Sequence, residues 1–115
     1  MTDRDRRFLV LKFGKILQDV LIEIRNLSFQ EGNARRINEL ADLTHNIPEF
    51  LVDWSDYVLA YLRDGFLEYA RKYYPGIDPE KSRYVMLFDM DESTFNDLYH
   101  PRTRPWPEPV EAVAR

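Results

Sequence analysis

The sequence predicts an all-α fold, a single-domain four- or five-helix bundle with a proline-rich C-terminal tail. Three observations predict it. Apolar residues recur at steps of three and four through the two longest segments, the spacing of one helical face. Helix start and stop signals punctuate the chain at Gly32-Asn33, Pro48, Pro75-Gly76 and Asp78-Pro79. The single run that reads as a strand, residues 83–88 (RYVMLF), has no second strand to pair with, which favours helix there too.

The first helix is expected over residue 3 to about residue 30. Leu9, Phe13, Ile16, Val20, Ile24 and Leu27 form its buried face, widened by Val10, Leu17 and Leu21. Thr2 or Asp3 caps its start, and Gly32 offers a left-handed stop. A second helix is expected from Ala34 to His45, capped by Asn33. Pro48 then suits the first turn of a third helix, expected as one continuous rod to Tyr74. On that rod Leu51, Trp54, Val58, Tyr61, Leu62, Gly65 and Tyr69 share one face. Gly65 costs about 1 kcal/mol of helix stability relative to alanine, which predicts close approach of another backbone, with the segment around Gly14 as candidate. A fourth helix is expected from Pro79 to Leu87, and a short fifth, capped by Asp91 or Ser93, before Pro101. The domain then spans 1–100. Residues 101–115, with four prolines, are expected as an extended tail that lays Trp106 on the body.

The 115-residue length allows one domain with a core that needs no staple. The absence of cysteine excludes disulfides and thiolate chemistry and fits a reducing compartment. No stretch is apolar enough for a membrane span, and Lys12 and Lys15 interrupt the run that would otherwise resemble a leader. The expectation is a soluble, cytoplasmic protein. A net charge of −4 opposes general nucleic-acid binding, although Arg4, Arg6, Arg7, Lys12 and Lys15 cluster near the start. Charge is unevenly distributed: residues 1–36 carry eight basic and five acidic groups, whereas residues 37–70 carry seven acidic groups and Arg63 alone.

No catalytic motif is complete. His45 at a helix end is stabilised by the dipole, so the segment around it reads first as a helix stop. Its chemical alternative is a metal-dependent hydrolase in which His45 joins Asp42, Glu49 and Asp53 around a divalent ion. A phosphotransfer role needs a nearby lysine and glycine; Asn46-Ile47-Pro48 follows instead. DMDES at 89–93 begins like a calcium loop, but Thr94 and His100 stand where Gly and Glu are required. His100, Arg102 and Arg104 lack the spacing of a helical ribonuclease.

The most specific feature outside the core is acidic. Glu49, Asp53, Asp56, Asp64 and Glu68 fall on one arc of the expected rod, with Tyr57 beside them. Like charges at i, i+4 repel. Such a stripe is either neutralised internally by Arg25, Arg35, Arg36 or Lys12, or presented to a basic partner. The expected function is therefore a non-catalytic protein-binding domain, an accessory, inhibitor or immunity-type partner of a basic protein, without a cofactor. A homo-oligomer that buries an aromatic face is the third reading.

Overall fold

A computed structural model describes residues 2–99, which form helices joined by turns and short irregular links. His100 and the tail, including the expected packing of Trp106, lie outside the described residues. Helix α1 (Asp3–Leu27) starts as the sequence predicts. The Asp5 amide donates to Thr2 Oγ1 (3.1 Å) and the Thr2 amide to Asp5 Oδ2 (3.3 Å), a reciprocal cap that satisfies two orphan donors. Gly32 follows with φ of +90°, the left-handed region where a side chain is strained. Asn33 differs from expectation. Its side-chain amide donates back to Leu27 O (3.0 Å), closing α1, and makes no cap bond to α2 (Ala34–Thr44).

The expected rod from Pro48 to Tyr74 is broken. A single turn, α3 (Ile47–Phe50), is followed by a non-helical link, and α4 begins only at Asp56 and runs to Tyr73. Local chemistry makes the break. Ser55 is extended (φ −68°, ψ 148°), its Oγ accepts from the Val58 amide (3.2 Å), and Asp53 Oδ1 accepts from the Ser55 amide (3.1 Å). Leu51 and Trp54 in the link pack on the core, with the Trp54 and Phe13 rings 5.6 Å apart. This makes a signed prediction. Within a continuous helix, Ser55→Ala would gain propensity; as a lost cap it lowers stability by about 1 kcal/mol, read from urea midpoints at unchanged slope.

The buried face of α4 is also rotated from expectation. Leu62, Phe66, Leu67, Tyr69 and Ala70 are buried, whereas Tyr61 is 65% exposed. Gly65 meets the side chain of Leu43 from α2 rather than the backbone near Gly14: a Cβ at position 65 would stand 2.3 Å from Leu43 Cδ1, and nothing lies within 4 Å at Gly14. The expected helix from Pro79 to Leu87 divides into a 3-10 turn (Pro79–Lys81), extended Ser82, and α5 (Arg83–Asp89). The run at 83–88 is therefore helical. Last comes α6 (Glu92–Tyr99), whose Thr94 amide donates to Asp91 Oδ1 (2.8 Å).

Five helices of seven residues or more thus make the all-α bundle among the described residues. Helix α1 packs mainly on α2 and α5, and α4 packs on the same two. Their shared core is filled by Phe13, Ile16, Val20, Leu40, Leu62, Phe66, Tyr84 and Val85. Helix α6 closes one end, with Phe95 edge-on to Phe8 (5.7 Å). No described helix is long and apolar enough to cross a membrane.

Candidate functional site: the outer face of α4

Tyr57, Tyr61, Asp64 and Glu68 stand at i, i+4, i+7 and i+11 of α4, one stripe along its outer side. Asp56 lies beside its start. The two tyrosines are 79% and 65% exposed, an unusual display of aromatic surface for a small domain. Asp56, Asp64 and Glu49 form no ion pair among the described residues, and Glu68 pairs with its neighbour Arg71. Glu49 and Asp53, expected on the same arc, sit on α3 and in the link. The break at 51–55 removes them from the α4 stripe, and Asp53 is engaged as a turn acceptor.

Internal neutralisation by the four basic residues does not occur. The Arg36 guanidinium donates to Glu23 (3.0 Å) and to Tyr69 (2.8 Å), and the Lys12 ammonium donates to the carbonyls of Phe88 and Met90. Arg25 and Arg35 make no ion pair among the described residues. Arg63, from the inner edge of α4, is held by Asp89 (2.6 Å) and Glu80 (2.6 Å), which raise its pKa further.

The largest polar assembly is one that sequence reasoning missed. Glu23 Oε1 accepts from the hydroxyls of Tyr84 (2.8 Å) and Tyr74 (2.8 Å), and Oε2 from Arg36, Tyr74 and Tyr69. Burial pushes the Glu23 carboxyl up, but the bonds from Tyr69, Tyr84, Tyr74 and Arg36 outweigh it and hold the group below the ordinary range. Burial, together with the same carboxylate, pushes Tyr74 up to about 12, and Tyr69 and Tyr84 higher still. Arg36 also lies over the rings of Tyr69, Tyr73 and Tyr74 at 5.1–5.7 Å. A signal was present. Glu23 stands three residues after Val20 and seven after Ile16, inside the buried stripe of α1, where a carboxylate demands donors. Both carboxylate oxygens are engaged by these four side chains, Tyr69, Tyr74, Tyr84 and Arg36. The cluster clamps α1, α2, α4 and α5.

His45 caps α2 at the surface, with Nδ1 2.7 Å from the Asp42 carbonyl. Among the described residues no group of three or more His, Asp or Glu is arranged to hold a metal ion, so His45, Asp42, Glu49 and Asp53 are not brought together as one donor set. A cleft of about 190 Å³ lies between α2 and α4, bordered by Glu39, Leu43, Gly65, Glu68, Lys72 and Tyr73. It is below the usual size of a small-molecule site, and Glu39 already accepts from Lys72 and Tyr73.

Comparison of the chain with family models, with curated proteins and with solved structures finds no match.

Proposed function

We propose that this chain is a non-catalytic protein-binding domain whose outer α4 face docks on a basic protein. One observation carries the reading: Tyr57 and Tyr61 are exposed beside Asp56 and Asp64, carboxylates without ion partners among the described residues. Aromatic rings supply contact area at small entropic cost, and unpaired carboxylates steer and register a cationic surface. The surface is narrower than the arc expected from sequence, since Glu49 and Asp53 belong to other elements. A cytoplasmic setting, with which the cysteine-free composition is compatible, is part of the same proposal.

The test is a titration of the isotope-labelled chain with a lysine-rich helical peptide that carries apolar residues on one side. Amide shifts are expected to concentrate between Asp56 and Glu68 and to shrink with added salt. Asp56→Lys with Asp64→Lys is expected to weaken binding at least tenfold, and Tyr57→Ala with Tyr61→Ala by a similar factor. Shifts spread evenly over all acidic surfaces, or indifferent to these substitutions, count against the proposal.

A further inference from the structure

Helix α1 carries a second apolar face, directed away from the core. Leu21 is 64% exposed, Val10 44%, Ile22 40% and Leu11 38%. At 100° per residue these four fall within an arc of about 120°, opposite the buried stripe of Phe13, Ile16 and Val20. Between the two apolar pairs lie Gly14, with nothing within 4 Å of its would-be Cβ, and Gln18. A glycine there lets another helix approach closely. Arg7 and Arg25 lie on the midline of the same face, one beyond each apolar pair along the helix axis, and neither forms an ion pair among the described residues.

Charge chooses the occupant. The face is nearly symmetric about Ile16. Antiparallel pairing of two copies would match Val10 with Ile22 and Leu11 with Leu21, but would also set Arg7 against Arg25. Parallel pairing would set each arginine against its own copy. Like charges facing each other select against both arrangements. The complementary surface is apolar in the middle and acidic at both ends.

We infer that the outer face of α1 binds an amphipathic helix of another protein, with an aliphatic stripe flanked by carboxylates. Arg7 and Arg25 are eighteen residues apart, which places those carboxylates about 27 Å apart, a partner helix of roughly five turns. This surface is distinct from the α4 face in helix, charge and chemistry. With both occupied, the domain joins an acidic helix to a basic protein.

The experiment uses the full chain and two synthetic helical peptides of about twenty residues with the same leucine–alanine stripe. One ends in glutamates at both termini, the other in lysines. Binding is read from the amides of Gly14 and Leu21, so that occupancy of α4 is not mistaken for it. The glutamate peptide is expected to bind at least tenfold more tightly. Arg7→Gln with Arg25→Gln removes that preference, Arg7→Glu with Arg25→Glu reverses it, and Leu21→Asp abolishes binding of both peptides. Equal affinities, binding that survives Leu21→Asp, or no shift at Gly14 and Leu21 up to about 1 mM peptide overturns the inference. So does a dimeric mass in light scattering that becomes monomeric in Leu21→Asp, since it assigns the face to a second copy.

Discussion

Replacing Glu23 by leucine is expected to lower stability by about 3 kcal/mol, the low end of the range for breaking a buried charge pair from one side because this pair is partly exposed, and to lower the melting temperature on the order of 10 °C. The carboxylate is the shared acceptor of Tyr69, Tyr74, Tyr84 and Arg36. Its loss leaves donors from three helices, α2, α4 and α5, without their partner in a half-buried site. Glu23→Gln keeps the shape and one oxygen but turns an amide toward donors, and is expected to cost about 1–3 kcal/mol. The pH dependence has a definite sign. A carboxyl held below its ordinary value contributes stability that is full above about pH 4.3 and is lost as pH falls through the lower folded-state value. The phenols are raised, Tyr74 to about 12, so their contribution is full below about pH 10 and is lost as pH climbs through the folded-state values. Urea titrations between about pH 3 and pH 11 check both limbs. Glu23→Leu is expected to flatten the acid limb, and an unchanged limb would show that other carboxylates control acid unfolding.

Lys12→Ala is expected to cost about 2–4 kcal/mol. Lys12 is buried on α1, its ammonium donates to the Phe88 and Met90 carbonyls at the end of α5, and it lies 5.0 Å and 5.6 Å from the Phe8 and Phe88 ring centres. Alanine removes the packed stem and orphans both carbonyls. Methionine restores the stem, so Lys12→Met is expected to recover about half of the loss. Desolvation depresses the Lys12 pKa, with Asp89 opposing it. A depressed lysine binds its proton less tightly in the folded chain. Between its folded value and about 10.4, stability therefore rises with pH relative to Lys12→Met. Chemical denaturation of the three proteins at two alkaline pH values checks the order and the slope.

The fold class and most helix limits were legible because periodicity and punctuation agreed. Thr2, Gly32 and Pro79 each marked a boundary through their own backbone preferences. The broken rod was not read because periodicity continued through 51–55 and outweighed the cap signal in Asp53-Trp54-Ser55-Asp56. Leu51 and Trp54 do reach the core, but from a turn, so their spacing imitated a helix. The proposed α4 face was legible in part as a surface feature. Tyr57 and Asp64 lie on it, whereas Glu49 and Asp53 depended on the missing continuity. Arg36, one of four candidates to neutralise the acidic stripe, pairs instead with Glu23 on α1. Sequence shows which charges are available, and only tertiary packing selects which of them pair.

The Glu23 clasp also joins parts of the chain that are made at different times. Its carboxylate is made early, and its last hydroxyl partner, Tyr84, lies 61 residues downstream. At ordinary elongation rates that interval lasts about 3–12 s. Through it, α1 holds an anion in the stripe that must become the interior. The clasp is therefore complete only when the second half of the chain is present, although Arg36 follows Glu23 by only 13 residues.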